Sequence, residues 1–416
     1  MKRIMAASVF GTIVSFFPYQ HSSTPCPPKG GHGKGEAPLN TTPFAFHLIN
    51  AVLQQDTGQG NKLISPLSVY LSLCVLYNGA GYATKDSIAE VLQLRGMNIY
   101  NLNALCKNML QEIHLEDNKA QISLSRSIWC NRKRGALLPS FETVSDAYYY
   151  TATQSLNFNA PNACARINSW VNQNMAHKAT AILPRTDPKD FLYLIDAAYF
   201  NGDWKYPFED SDTYKDVFYL PDGRTKIVPT MKKELVTRVF SDTSFTMFEL
   251  PYGNGKAFSM YVLLPDDPQQ PISQFAASLS EERLNYTIQR MNDQCLQLSL
   301  PAWEYAYSIP DMKPALSQLG MGILFDREGN ADFSGMVKAG RGTAAISKAL
   351  HNTYIKVNEK GTRVSMATGE APAYTCEQRH HRPLVLKVDH PFLYLILERQ
   401  RNIVLFAGVV NDPVGH

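Results

Sequence analysis

The stretch that most constrains the fold is an apolar run at residues 192–200, which reads LYLIDAAYF. Its apolar and aromatic residues follow one another instead of alternating with polar ones. A strand with one exposed face alternates, so this run predicts a central strand that is covered on both faces. A second run, 67–76, is apolar nearly all round at helical spacing. It predicts a buried helix with Ser65 as its cap and Pro66 in its first turn.

Helix-like and strand-like patterns divide the chain into two parts. Helical spacing predominates in the first part, and strand runs predominate in the second, which predicts an α+β fold with at least two sheets. No internal repeat or linker interrupts residues 41–412, so we expect a single domain there. The helical patterns lie at 43–53, 85–94, 102–113, 140–148 and 163–175, and the further strand runs at 258–264, 296–300, 392–397 and 403–410.

The N-terminus has the pattern of an export signal. Lys2 and Arg3 precede a mostly apolar run at 4–17 that is too short to span a membrane. This pattern is typical of a secretory signal, which we place at 1–22; a frayed N-terminal extension is the alternative. Residues 23–40 are rich in Pro and Gly and predict a flexible linker. We therefore expect a secreted, extracellular protein or, in a bacterial source, a periplasmic protein or a surface lipoprotein anchored at Cys26. No other stretch is long and apolar enough to span a membrane.

Composition and motifs argue against nucleic-acid binding, metal binding and catalysis. The 40 Lys and Arg residues nearly balance the 37 Asp and Glu residues, and no basic cluster is present. The seven cysteines include no Cys-x-x-Cys, and no nucleophile, metalloprotease or phosphate-loop motif occurs. Cys376, His380 and His381 lie close together, but Arg379 and Arg382 beside them disfavour a metal ion. We therefore predict no enzyme activity, no cofactor and no metal.

The region 353–391 is the most informative part of the chain. Ile355 and Val357 alternate with polar residues and predict a strand at 353–359. Roughly thirty residues without a helix signal then precede the next strand run, and loops of that length inside a domain are usually functional or disordered. The loop contains residues that are attractive to proteases in an exposed segment, among them Tyr374 and Arg379. It therefore predicts an element that a protease can reach.

Several segments resemble landmarks of the serpin family, in the family's order and across nearly all of residues 41–412. They lie at 61–68 (NKLISPLS), 200–208 (FNGDWKYPF), 319–321, 332–335, 350–362, 389–393 and 408–413. The resemblance implies the serpin fold, an α+β architecture with three β-sheets, eight or nine helices and an exposed reactive loop at about 360–384.

The resemblance also implies a mechanism of inhibition. A serine or cysteine protease cuts the reactive loop and forms an acyl-enzyme, and the cut loop inserts as a new strand into the large sheet before water releases the protease. About 15 residues at about 3.3 Å each would carry the protease some 50 Å. Together with the export pattern of the N-terminus, the resemblance leads us to expect a secreted protease inhibitor, which we take to act as a monomer. The alternative is a non-inhibitory serpin that serves as a binding, carrier or chaperone-like protein.

The resemblance assigns a hinge to the first residues of the loop. Gly361 suits a bend because glycine adopts dihedrals that other residues avoid. In an inserted strand, Thr362 and every second residue after it would share the inward face. Inhibitory serpins usually have Ala-rich residues here, and the bulkier Val364 and Met366 would cost about 1–3 kcal/mol on insertion. This departure supports the non-inhibitory alternative. The predicted hinge residues are Glu359, Gly361, Thr362, Val364, Met366 and Thr368.

The position of the scissile bond differs between two ways of counting. The family's usual distance from Glu359 places the bond at Thr375-Cys376. Counting back from the C-terminal strand motif places it near Arg379, because the segment is about five residues longer than is common in the family. The length that inserts is limited by the sheet, so we prefer the first count, with Tyr374 and Arg379 as alternatives.

A buried polar cluster is the last expectation that the resemblance implies. His351 matches a family histidine in the sheet centre, and Ser65 and Ser68 match its hydroxyl partners. The family usually has Asn at the position of Asp196, so we expect a buried ion pair between Asp196 and His351. A structural cluster is the simpler interpretation, and a pH-sensitive latch on sheet opening is the alternative. Trp204 is expected to close the top of the sheet over the hinge or to be an ordinary core residue.

Overall fold

The computed structural model describes residues 39–115, 117, 119–178, 183–339, 344–362 and 383–414. The predicted secretory signal at 1–22 lies outside these residues, as does the predicted linker except for its last two residues. Nine α-helices are present in the described part of the chain. They are α1 Thr42–Gln55, α2 Pro66–Gly79, α3 Tyr82–Val91, α4 Ile99–Leu115, α5 Pro139–Tyr149, α6 Ala163–Asn174, α7 Ile272–Ala277, α8 Glu281–Arg290 and α9 Lys313–Leu316.

Fifteen strands accompany these helices within the same described ranges. They are β1 Lys62–Ile64, β2 Ala120–Asn131, β3 Thr151–Leu156, β4 Leu192–Asp203, β5 Thr213–Tyr219, β6 Thr225–Ser241, β7 Phe245–Pro251, β8 Phe258–Pro265, β9 Asn292–Pro301, β10 Trp303–Ile309, β11 Ile346–Asn358, β12 Gly361–Thr362, β13 Leu384–Lys387, β14 Phe392–Glu398 and β15 Ile403–Val410. Most helices precede most strands, and the α+β prediction is confirmed.

Hydrogen bonds join the strands into two sheets. A six-stranded sheet has the order β10-β11-β12-β4-β2-β3, and a nine-stranded sheet has the order β1-β15-β14-β8-β7-β6-β9-β13 with β5 also paired to β6. The 17-residue strand β6 pairs with β5 at residues 225–231, with β9 at residues 230–239 and with β7 only at its last three residues. It thereby links strands that the family resemblance counts as two separate sheets.

Strand β4 lies inside the six-stranded sheet and is covered on both faces. It pairs with β2 on one side and with β11 and β12 on the other. The side chains of Leu194 and Ala198 belong to the main core, which includes α2, while those of Ile195 and Ala197 pack in a second cluster with Ile167 of α6. The prediction of a central, doubly covered strand is confirmed, because its apolar residues serve two cores.

Helix α2 packs against one face of the six-stranded sheet. All its residues except Asn78 are buried, as its apolar sequence predicts. Ser65 caps it, since the Ser65 Oγ accepts a hydrogen bond from the Ser68 backbone N–H at 3.4 Å. The helix packs against β2 and β4 of the six-stranded sheet and against β15 of the nine-stranded one. Residues at its start therefore meet the middle of the six-stranded sheet.

Membrane spans and cysteine pairing complete this outline. No helix in the described ranges has the length and apolar character that a bilayer crossing requires. Cys74 is a buried free thiol in the core, and Cys106, Cys130 and Cys164 are also free. Cys295 is disulfide-bonded.

Candidate functional site

The boundary between β4 and β11, which we call the seam, is where a new strand could enter the six-stranded sheet. The two strands run parallel and pair directly from Leu192 with Ile346 to Tyr199 with Tyr354. Beyond that point the two residues of β12 lie between them and pair antiparallel with both neighbours. The seam is therefore closed along most of its length, and its last part already holds the start of an additional strand.

A tight turn leads from β11 into β12. The Asn358 side-chain oxygen accepts a hydrogen bond from the Lys360 backbone N–H at 3.1 Å, which is the local bond that stabilises such turns. Gly361 then has φ +149°, and a Cβ atom there would lie 2.1 Å from the carbonyl oxygen of Gly202. Only glycine fits this backbone and this close approach, so the turn depends on Gly361.

The predicted hinge residue Glu359 is held in the turn by two hydrogen bonds of its own and by one to the next residue. Its carboxylate accepts a hydrogen bond from the Thr213 hydroxyl at 2.6 Å, and its carbonyl accepts one from the Phe208 N–H at 2.8 Å. The neighbouring carbonyl of Lys360 accepts from the Trp204 N–H at 2.9 Å. The segment that follows β4 therefore fixes the point from which the loop departs.

Trp204 and Tyr252 together enclose the start of the loop. The indole Nε1 of Trp204 donates to the Asn358 carbonyl at 2.9 Å, and its ring stacks on Tyr252 with centroids 4.5 Å apart. The Tyr252 hydroxyl is 2.5 Å from the Thr362 Oγ1, and the Thr362 side chain is fully buried. Trp204 thus lies over the hinge and is also buried, so both interpretations of this residue describe its position. Tyr252 was missed because no sequence pattern joins it to Thr362.

Thr362 points into the interior of the protein. Side chains of a strand alternate between its faces, so a strand continuing from Thr362 would place every second residue on that same face. The remaining predicted hinge residues and the candidate reactive-bond residues lie outside the described residues, and their placement stays a prediction. These are Val364, Met366 and Thr368 in the hinge, and Tyr374, Thr375, Cys376 and Arg379 around the reactive bond.

The predicted ion pair between Asp196 and His351 is wrong. The two residues, both described, are neighbours across the seam, but His351 Nε2 accepts a hydrogen bond from the Ser65 N–H at 2.9 Å. Burial lowers the pKa of His351 to about 3, so the imidazole is neutral. The Asp196 carboxylate instead accepts hydrogen bonds from Ser68 at 3.1 Å and Ser72 at 2.6 Å. The start of α2 therefore provides the hydrogen-bond partners of both side chains, through the Ser65 N–H for His351 and the Ser68 and Ser72 hydroxyls for Asp196.

The charge nearest to Asp196 in register is Arg126, which lies opposite it across the β2–β4 pair. Burial raises the pKa of Asp196 to about 7, although the hydroxyl of Ser72, the charge of Arg126 and the hydroxyl of Ser68 each oppose that rise. Asp196 is therefore only partly ionised near neutral pH. Of the two seam neighbours, Asp196 changes its charge near neutral pH, whereas His351 stays neutral there.

Two members of this cluster were missed by sequence reasoning. Ser72 lies one helical turn after Ser68, so the i, i+4 spacing on α2 was a usable signal. Arg126 lies at an inward position of β2, and its meeting with Asp196 depends on strand register, which the sequence does not reveal. The described part of the cluster contains hydrogen bonds that join both strands of the seam, β4 and β11, to the start of α2.

Comparisons with known proteins agree with this architecture. A family model described as Serpin (serine protease inhibitor) matches residues 39–413. Serpin-Z1C of Triticum aestivum is 30% identical over 387 residues, and Serpin-Z4 of Hordeum vulgare is 31% identical over 397 residues; each alignment covers 90% of this chain and 95% of the relative. The solved structure of Tengpin, a thermophilic serpin in the native state, superposes with a TM-score of 0.79 at 26% identity and covers 90% of this chain and 93% of that chain. This chain belongs to the serpin family.

Proposed function

We propose that this serpin inhibits a serine or cysteine endopeptidase as a suicide substrate. The protease would cut the reactive loop at about 360–384, and the cut loop would insert into the seam while the protease is still bound as an acyl-enzyme. The observation that supports this proposal most is β12, because Gly361 and Thr362 already pair with both β4 and β11. A strand that continues from Thr362 would extend this pairing along the seam.

The energy that drives insertion follows from hydrogen-bond pairing. The closed seam has eight residue pairs in register between β4 and β11. A strand placed between them would pair on both sides, so each inserted residue adds roughly one backbone hydrogen bond to the total. At about 1 kcal/mol net per bond, insertion along the seam would stabilise the protein by about 8 kcal/mol. That is comparable with the whole stability of a typical domain, which is about 5–15 kcal/mol.

The place of the cut stays a prediction from the sequence. The count from Glu359 favours Thr375-Cys376, with Tyr374 and Arg379 as the other candidates. Glu359 is a sound starting point for that count because Thr213 and Phe208 hold it in place. A cut at Thr375 or Tyr374 would suit a protease with a medium or aromatic primary pocket, and a cut after Arg379 would suit a trypsin-like one.

The test is incubation of the full chain with a panel of serine and cysteine proteases. We expect a covalent complex that survives boiling in denaturant on a gel, and mass spectrometry of the released peptide identifies the bond that is cut. Thr362→Arg should be cut without forming the complex, because Thr362 is fully buried and arginine cannot occupy its place. The matched control is Lys360→Arg, since Lys360 is exposed in the turn and should keep trapping.

Cleavage of the wild type by every protease in the panel, without a complex in any case, would contradict the proposal. That outcome would support the alternative of a non-inhibitory binding, carrier or chaperone-like protein. The bulk of Val364 and Met366 is the sequence feature that favours the alternative.

We also propose that the protein is exported through the signal at 1–22. The support is the charged and apolar pattern of the first residues. Mass spectrometry of the mature N-terminus, from protein recovered outside the producing cells, tests this proposal. We expect a start close to residue 23, with or without a lipid on Cys26. An intact Met1 on protein that stays inside the cells would contradict it.

A further inference from the structure

A cavity of about 680 Å³ lies between the C-terminal half of α4 and strand β2. Its size falls within the range of about 300–1,000 Å³ that is usual for small-molecule sites in proteins. Four of its ten lining residues are aliphatic: Leu110 and Ile113 of α4, and Ile122 and Leu124 of β2. A cavity with such a wall is suited to an alkyl chain.

Arg126 lies at the inner end of this wall and has incomplete hydrogen bonding. Only 1% of the residue is exposed, and its Nη2 donates to the Tyr149 carbonyl. Within the described part of the chain, Nε and Nη1 have no hydrogen-bond partner, and both atoms are shielded from water. Asp196 influences Arg126 electrostatically but is not in ion-pair contact with it. A buried charged donor without a partner is unfavourable, so this guanidinium would gain from an anion.

The outer end of the cavity is polar. Gln111, His114 and Tyr150 line it, and the Gln111 side-chain amide donates to the Tyr150 hydroxyl at 3.2 Å. Tyr150 is also the only aromatic residue among the lining side chains. The cavity thus has a polar opening, an aliphatic middle and a positive inner end, which is an arrangement that distinguishes one end of a ligand from the other.

We propose that this cavity is a binding site for an aliphatic monocarboxylate, such as a medium-chain fatty acid. The alkyl chain would contact Leu110, Ile122 and Leu124, and the carboxylate would bind Arg126. Because Nε and Nη1 are shielded in this structure, binding requires the guanidinium to turn toward the cavity that the residue lines. The aliphatic wall favours an alkyl acid over an aromatic one. This site does not depend on whether the protein inhibits a protease.

Isothermal titration of the full chain with decanoate and decanamide tests the proposal without any mutation. The two ligands share an alkyl chain and differ in charge. A hydrogen-bonded buried charge contributes about 1.5–3 kcal/mol, so we expect decanoate to bind at least about tenfold more tightly than decanamide. Naphthalene-1-carboxylate is the aromatic comparison and should bind more weakly than decanoate.

Leu124→Trp, which fills the cavity, should abolish decanoate binding. The matched control is Ile227→Trp in β6, because Ile227 is exposed and does not line the cavity; this variant should bind decanoate like the wild type. Equal affinities for decanoate and decanamide would overturn the assignment of Arg126. Absence of decanoate binding in the wild type, or undiminished binding in Leu124→Trp, would overturn the site.

Discussion

Replacing Asp196 with asparagine should remove a specific part of the pH dependence of stability. Burial raises the pKa of Asp196 to about 7 in the folded protein, from an ordinary value of 3.8. Between those two pH values the folded protein holds a proton that the unfolded chain has lost. The protonated acid therefore contributes stability at low pH, and this contribution is lost as the pH rises through 7. Asparagine is neutral at every pH, so the variant does not show this pH-dependent loss of stability.

The size of the effect follows from the two pKa values. At pH 5 the folded-state pKa lies about two pH units higher, which at about 1.4 kcal/mol per unit corresponds to about 2–3 kcal/mol. At pH 8 the contribution has fallen nearly to zero. The wild type should therefore lose about 2–3 kcal/mol more than Asp196→Asn between pH 5 and pH 8. The loss of the electrostatic attraction between Asp196 and Arg126 in the variant changes the offset between the two curves but hardly changes this difference.

Urea unfolding at pH 5, 6, 7 and 8 measures the free energy of unfolding for both proteins. Other titrating groups are common to both and cancel in the difference. Glu328→Gln is the matched control, because Glu328 is an exposed acid and its curve should run parallel to that of the wild type. A wild-type-minus-Asp196→Asn difference that stays constant within about 0.5 kcal/mol across this range would refute the assignment of the titrating carboxyl.

Three other substitutions test the hinge and the cluster. Ser72→Ala removes a hydrogen bond that lowers the pKa of Asp196, so the fall in stability should move to higher pH in the same urea experiment. Gly361→Ala should lower the free energy of unfolding by about 1–3 kcal/mol in urea titrations, whereas Gly329→Ala, with a similar φ of +108° and open space around it, should cost less. Tyr252→Phe removes the hydrogen bond to the hinge threonine and should cost about 1 kcal/mol, with faster amide hydrogen exchange at that threonine.

The elements that the sequence predicted best are those with uniform composition. Strand β15 has the bounds that its apolar run predicts, and α2 and β4 were recognised because burial on all sides leaves a continuous apolar signal. Strand β11 begins at Ile346, seven residues before the predicted start. Its first residues do not alternate between apolar and polar side chains, so the sequence pattern did not reveal them. Strand β2 was missed because the charged residue Arg126 occupies one of its buried positions and breaks the apolar pattern.

The contacts of the candidate site were harder to predict than its residues. Glu359, Gly361, Thr362 and Trp204 meet around one turn, and their positions in the sequence motifs indicated that they belong together. The partners of Thr362 and Asp196 depend on the register of strands far apart in sequence. A shift of one residue in that register would place different side chains together, so these contacts cannot be predicted from a single sequence.

The thermal midpoint of the loop-cleaved protein tests the central claim most directly. The claim is that the chain after Thr362 is more stable as a strand in the seam than outside it. A protease that cuts only between residues 369 and 382 would release this segment, and the midpoint is then compared with that of the uncut protein. An added stability of about 8 kcal/mol predicts a rise of more than about 10 °C. An unchanged midpoint after complete cleavage would contradict the claim.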